Sequence, residues 1–380
     1  MVDIFVCGDI VNYQHKDGYF ISEPLRDIIA GANFSIANFE APIQGNFGPA
    51  EKSGIQHHQC KNTIAALKDQ GFDMLTLANN HIMDYGEEGL KATLNEIKAN
   101  ELRNIGAGTS FSEAYTPQIV KINNITIGFI NACEAQFGVL DYNSSDKSGY
   151  AWINHNEIDE KIIELRNICD YVVVLAHAGL ENFSIPQQEW RMRYKQFINL
   201  GADVVIGSHP HVPQGFEEYK GKFIFYSLGN FYFDSKNYVN KEDNSYSVLL
   251  KLEKELSFEL IYHHKEDGQV LLSQDDQKIN IHDLNRQLED NYVSELDKIS
   301  LSVFNKKIKK NLVYSLSIGI YDGGILSSLK RIIRIIIGRE KRHNKKLLSL
   351  HLMRNETYYY VARRALELQA NSKIDGDIHE

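Results

Sequence analysis

Gly201-Ala202-Asp203-Val204-Val205-Ile206-Gly207-Ser208-His209-Pro210-His211-Val212 is an apolar run that stops at a glycine and is followed at once by two imidazoles. Val204–Gly207 has the length and β-branched content of a buried strand. His209 and His211 then fall just beyond its carboxyl end. Pro210 restricts the backbone between them, and the spacing predicts an extended, preorganised His-Pro-His geometry.

The same pattern recurs outward. Candidate strands are Ile4–Cys7, Ser35–Asn38, Met74–Ala78, Thr126–Ala132, Tyr171–Ala176, Lys222–Tyr226, Ser247–Leu252 and Glu259–His263. Helical patterns lie between them at Asn62–Gln70, Glu87–Ala99, Asn156–Cys169 and Gln187–Leu200, which predicts an α/β domain. Several strands end in residue types that hold divalent metals: Asp9 after the first, Glu40 after the second, Asn80 and His81 after the third, and His177 after Val172–Leu175. Ligands of open α/β sheets bind at the carboxyl ends of strands, so residues from Asp9 to His211 would converge on one edge.

Each residue alone has a plainer explanation. Asp9 could close a turn, Glu40 could open the loop at Ala41-Pro42, and His177 could be a satisfied core histidine. Asn79-Asn80-His81 could cap a helix before Asp84-Tyr85-Gly86. His209-Pro210-His211 is harder to explain in this way, and together the plain explanations need six coincidences of strand-end position. The sequence has no Gly-x-Ser-x-Gly elbow and no glycine-rich phosphate loop ending in Lys-Ser or Lys-Thr. Gly106-Ala107-Gly108 reads as a turn at a strand start.

Composition, at 43% hydrophobic and 24% charged over 380 residues, is that of an ordinary globular protein and singles out no function. Cys7, Cys60, Cys133 and Cys169 form no close pair, which argues against a disulfide framework or a thiolate zinc site. The N-terminus lacks the basic region and cleavage site of a secretory signal, and no stretch reaches the ~18–20 apolar residues that cross a bilayer. A cytoplasmic protein, soluble or membrane-peripheral, is expected.

A polar stretch, Glu266–Gln277, suggests a boundary near residue 264, dividing the chain into 1–264 and a mainly helical region 265–380. The net charge of −9 is uneven: residues 303–346 hold twelve Lys or Arg against Asp322 and Glu340, a balance of +10 that leaves −19 for the remainder. Within 325–346, Leu329, Ile332, Ile333, Ile336 and Ile337 recur at helical spacing opposite Lys330, Arg331 and Arg334. This basic amphipathic segment either packs its apolar stripe on the protein or lies on an anionic membrane surface. Nucleic acid is not expected as a partner, because no recognition module accompanies the charge.

With these residues in view, the chain resembles the CapA family, the poly-gamma-glutamate or capsule-synthesis proteins of the metallophosphatase superfamily. The resemblance runs from about Val2 to Asp234 and is carried by Gly8-Asp9, Asn38-Phe39-Glu40, Leu77-Ala78-Asn79-Asn80-His81 with Asp84-Tyr85-Gly86, and Gly106-Ala107-Gly108. It continues through His177-Ala178-Gly179-Leu180-Glu181, the run Gly201–Val212, and Tyr226-Ser227-Leu228-Gly229-Asn230-Phe231. It implies a four-layer α/β/β/α metallophosphoesterase-like sandwich, followed here by a helical C-terminal extension. Two divalent metal ions, drawn from Mn, Fe, Zn or Mg, would sit at one edge of the paired sheets.

Carried over onto this sequence, Asp9 would bind one metal, Glu40 would bridge both, Asn80 and His177 would bind the second, and His209 and His211 would be divided between them. His81 would stand outside the metal shell as an acid or electrostatic stabiliser, with Asp84 and Glu181 orienting His81 and His177. Two departures stand out: Val11 occupies a place where the wider superfamily has a metal-binding histidine, and Ala178 replaces a frequent aromatic. The expected function is a metal-dependent hydrolase, a phosphatase or phosphodiesterase that attacks a phosphate ester with a metal-bridged hydroxide in capsule, poly-gamma-glutamate or cell-envelope polymer metabolism. The competing expectation is a non-hydrolytic component of a poly-gamma-glutamate synthesis or export complex that binds the anionic polymer at the metal edge.

Overall fold

The computed structural model describes residues 1–144, 146–234, 243–316, 333 and 345–377. Strand and helix alternate through β1 (Val2–Val11), α1 (Glu23–Gly31), β2 (Phe34–Phe39), α2 (Thr63–Asp69), β3 (Met74–Thr76), α3 (Gly86–Ala99) and β4 (Arg103–Ile105). The short β5 (Ala107–Gly108) and α4 (Phe111–Tyr115) lead into β6 (Gln118–Ile122), β7 (Ile125–Cys133), β8 (Val139–Leu140) and β9 (Gly149–Ala151). Alternation resumes with α5 (Asn156–Ile168), β10 (Tyr171–His177), α6 (Gln188–Leu200), β11 (Val204–Ser208), β12 (Phe216–Tyr219) and β13 (Lys222–Phe225). Four more strands follow: β14 (Asn230–Phe233), β15 (Asp243–Leu252), β16 (Leu256–Glu266) and β17 (Gln269–Leu272).

These strands make two mixed sheets. One runs β17-β16-β15-β1-β2-β3-β4 with β14 also on β1, and the other runs β12-β13-β11-β10-β7-β6; β5, β9 and β8 form a small third sheet. In both large sheets the central strands are parallel, as their uninterrupted apolar sequences require, and antiparallel strands are added at the margins. Alternate residues point to opposite faces. Ile4, Val6, Ile36, Val248 and Leu250 of the first sheet meet Ile127, Phe129, Val173, Leu175 and Ile206 of the second in one core. The other face of the first sheet, with Phe5, Cys7, Ala37 and Leu75, is covered by Leu25 and Ile29 of α1, Ile64 and Leu67 of α2, and Leu90 and Ile97 of α3. α5 and α6 pack on the second sheet, burying Ile158, Ile162, Leu165, Trp190, Tyr194 and Phe197. The order is therefore α/β/β/α.

The chain divides into two compact units, Met1–Ala50 with Gln56–Asp290, and Glu51–Ile55 with Asn291–Glu380. The boundary expected at 264 falls inside β16, which pairs with β17 beyond it. The polar stretch that suggested a break is a hairpin turn at Asp267-Gly268 leading to the outermost strand, where solvent exposure explains the polarity. The first unit ends after α7 (Ile281–Arg286).

The second unit contains α8 (Tyr292–Val303), α9 (Lys309–Leu316), α10 (Lys345–Arg354) and α11 (Glu356–Asp377), with a π turn at Phe304–Ile308. Its buried apolar residues include Leu296, Val303, Phe304, Ile308, Val361 and Ala365, and Arg364 of α11 pairs with Asp297 of α8 at 2.6 Å. Of the amphipathic segment 325–346, residues 325–332 and 334–344, with Leu329, Lys330, Arg331, Ile332, Arg334, Ile336 and Ile337, lie outside the described residues, and Ile333 is described as exposed. Among the described residues no helix is long and apolar enough to cross a membrane.

Candidate metal centre

β1 delivers Asp9 through an irregularity. Its pairing with β2 slips between Cys7 and Asp9, and a Cβ on Gly8 would stand 1.9 Å from the Gly229 carbonyl oxygen. Only glycine allows this close approach, and bulges of this kind re-aim side chains beside functional sites. Asp9 is thereby paired with Asn38 on one side and Asn230 on the other, and all three are buried.

The parallel strands bring the other strand-end residues to the same edge. Asp9 Oδ1 accepts from Asn38 Nδ2 at 2.5 Å, and Asp9 Oδ2 accepts from the His209 backbone N–H at 3.2 Å and lies 3.3 Å from His211 Nδ1. Glu40 Oε1 is 3.8 Å from His177 Nε2 and 3.9 Å from His211 Nε2. Asn80 Oδ1 lies 3.1 Å from His177 Nε2. The His177 and His209 rings are 4.7 Å apart, and those of His209 and His211 5.9 Å. Two overlapping groups result, Asp9 with Glu40 and His211, and Glu40 with His177 and His209, each with its ligand atoms within 4.8 Å of one another. Glu40 belongs to both.

The donor set fits divalent cations. Both Glu40 carboxylate oxygens are buried without a hydrogen-bond partner among the described residues. A buried carboxylate in that condition costs on the order of several kcal/mol unless a cation meets it. Burial pushes the Glu40 carboxyl well above the usual range; His211 opposes this, while Asp9, Glu181 and Asp84 add to it. Burial, with the neighbouring His209, His211 and His81, holds His177 well below the ordinary imidazole value and so neutral, the form that ligates metal. Burial also pulls on His211, but Glu40 and Asp9 more than offset it and raise that imidazole to about 10.

The His-Pro-His backbone is not extended. His209 has φ +99° and His211 φ +59°, a region costly for residues with a Cβ. Asp9 holding the His209 N–H and Asn182 donating to the Pro210 carbonyl at 2.8 Å turn the segment inward, which aims both rings at Glu40.

His81 lies at the rim, with its Nδ1 2.6 Å from Asp84 Oδ2. The same Asp84 oxygen accepts the His57 backbone N–H at 2.6 Å, and the His57 ring stands 4.4 Å from that of His81. Glu181 acts electrostatically on Glu40 and His211. The place beside His177 expected for Glu181 is held by Asn38, whose Nδ2 is 3.0 Å from His177 Nδ1. Val11 is fully buried, and its backbone pairs with that of Phe233. Ala178 is buried, its N–H held by the Ser208 carbonyl.

Further residues join the site without having been singled out from sequence. Glu134, fully buried just after β7, accepts from Gly179 N at 3.2 Å and Gln136 Nε2 at 2.7 Å and lies 3.6 Å from His209 Nε2. Asn230 Oδ1 is 3.0 Å from His211 Nδ1. Asn131 accepts from Ala78 N–H and donates to the Leu175 carbonyl, tying the segment after β3 to β10 beneath the site. Glu134 carried the same strand-end signal as Glu40, and Asn38 and Asn230 stood in runs already noted.

Residues 3–235 match the family described as bacterial capsule synthesis protein PGA_cap. The chain is 34% identical over 227 residues to the PGA biosynthesis protein CapA of Bacillus subtilis, covering 58% of this chain and 58% of that protein. It is 30% identical over 275 residues to the capsule biosynthesis protein CapA of Bacillus anthracis, covering 70% of this chain and 62% of that protein. The matches thus span about three fifths of the length of these curated relatives. A phosphatase of known structure from Mycoplasma pneumoniae is similar at 18% identity and a TM-score of 0.43, over 70% of this chain and 94% of that one.

Proposed function

This chain belongs to the bacterial capsule synthesis protein family PGA_cap, and from that premise we propose that it is a binuclear-metal hydrolase of phosphate esters, a phosphatase or phosphodiesterase serving a capsule, poly-gamma-glutamate or other cell-envelope polymer. The observation that carries the proposal is Glu40, a buried carboxylate shared by two ligand groups, with neither oxygen hydrogen-bonded among the described residues. Asp9, Glu40 and His211 would hold one ion; Glu40, Asn80, His177 and His209 would hold the other. Bound there, the ions would neutralise phosphoryl charge and activate water at neutral pH, so no protein nucleophile is needed.

The chain's own residues set the geometry. Asn38 Nδ2 donates to Asp9 Oδ1 and lies 3.0 Å from His177 Nδ1, so it bears on the orientation of both side chains. Glu134 does the same for His209. His81, with Nδ1 engaged by Asp84, would pass a proton through Nε2 to the leaving oxygen.

A second reading is favoured by the relatives' names, which speak of capsule and PGA biosynthesis: the same edge would bind an anionic polymer without cleaving it. The test compares wild type with Glu40→Gln, in metal content and in Mn-dependent phosphate release from a generic phosphate ester. Release by wild type that the variant abolishes supports the hydrolase. Bound metal without release, together with metal-dependent binding of poly-gamma-glutamate, supports the second reading.

A further inference from the structure

We propose that Tyr13, Phe47, His58 and Tyr85 form a shelf beside the metal centre on which a ring of the substrate stacks, so that the preferred esters carry a sugar or a base next to the phosphate. The proposal rests on the hydrolase reading and specifies its substrate class.

The four side chains come from separate segments and are each only partly buried. The Tyr13 and His58 ring centroids are 4.6 Å apart, those of His58 and Tyr85 5.9 Å, and those of Tyr85 and Phe47 5.9 Å. Tyr85 Oη is 3.2 Å from His58 Nδ1, which ties the middle of the row together. Burial holds His58 below the ordinary imidazole value, so its ring is neutral. The row is therefore uncharged and aromatic, with successive rings inclined at 47°, 84° and 65° to one another, so that each offers its own face or edge.

Its position connects it to the reaction. Tyr85 directly follows Asp84, the partner of His81, and His58 directly follows His57, whose ring packs on His81 at 4.4 Å. Tyr13 lies two residues past the end of β1, the strand that delivers Asp9. The rings are thus carried by the same segments that hold His81, and a group bound on them would be placed toward the leaving-group side of an ester. Uncharged aromatic faces with phenol hydroxyls at their edges suit ligands with an apolar ring face and polar substituents, namely pyranoses and nucleobases. A ring-less polyol ester gains nothing from such a surface.

The experiment measures kcat/KM of the Mn-loaded full chain for a hexose phosphate, a nucleoside monophosphate and glycerol phosphate, in wild type, Tyr13→Leu and Tyr85→Leu. The expected result is a ring-over-glycerol selectivity that falls roughly three- to tenfold in each variant, the loss typical of one aromatic contact. Whichever ring ester loses more identifies the sugar or the base as the group bound. Unchanged selectivity in both variants overturns the shelf, and so does a wild type that prefers glycerol phosphate. Should wild type cleave none of the three, the hydrolase reading fails, and the shelf is judged separately by saturation-transfer NMR with the same phosphates. Saturation of ring protons that weakens in either variant supports the shelf; equal saturation in all three proteins overturns it.

Discussion

Glutamine at position 40 keeps the shape of the side chain and removes its charge, so Glu40→Gln separates what the carboxylate does for metal from what it does to the fold. Metal-free, the wild type carries a fully buried carboxyl whose oxygens have no hydrogen-bond partner among the described residues. An uncompensated polar group of this kind costs about 1–3 kcal/mol, and more when charged. The metal-free variant should therefore be at least as stable as the metal-free wild type, against the usual rule that buried substitutions destabilise. With metal the order reverses. Saturation at 100 times Kd stabilises the wild type by about 2.7 kcal/mol, or roughly 5–10 °C in Tm for a unit of this size. Glu40→Gln weakens both ligand groups at once and should lose most of that shift. The assay is thermal unfolding of both proteins, chelated and then titrated with Mn. A variant with the full wild-type metal shift would refute the reasoning, because Glu40 could not then be shared between the ions.

Four other outcomes follow from the same structure. His81→Asn should keep its metal and lose roughly 10²–10⁴-fold in turnover, whereas loss of metal on elemental analysis would make His81 a ligand; Asp84→Asn, acting through His81, should cost about 10–100-fold. Away from the site, burial by itself would raise the Glu217 carboxyl, yet Arg191, Tyr226 and Lys195 hold it from the ordinary 4.5 down to about 2. A depressed carboxyl stabilises above its unfolded value and ceases to do so as pH falls through the folded one. Acid unfolding of Glu217→Gln should therefore lack up to about 3 kcal/mol of pH dependence between pH 4.5 and 2, and an acid profile identical to wild type would argue against it. For residues 303–346, sedimentation with anionic liposomes at low and high salt, comparing the full chain with one ending near residue 300, distinguishes the membrane role from packing: salt-sensitive binding only by the full chain supports the membrane, and no binding by either supports packing.

Much of the site was legible because central parallel strands are apolar on both faces, so a polar residue where such a run ends stands out. That is how Asp9, Glu40, His177 and His209 came to notice, and they fall in two ligand groups that share Glu40. Asn38 escaped a role because it sits inside β2 and reads as a strand residue, although its amide touches both Asp9 and His177. Elements such as β4, β5, β8 and β9 have only two or three residues, too few to register a period. The backbone of His209 and His211 could not be read locally either, since its positive φ angles are held by Asp9, a contact across 200 positions.

The most direct measurement of the central claim is metal content and catalysis on one preparation: elemental analysis of the purified full chain after dialysis against Mn, followed by Mn-dependent phosphate release from a generic ester. The account predicts bound divalent metal approaching two ions per chain and release that chelation abolishes and added Mn restores. A chain that binds no divalent metal, or binds it and releases no phosphate from any ester tried, would contradict the account.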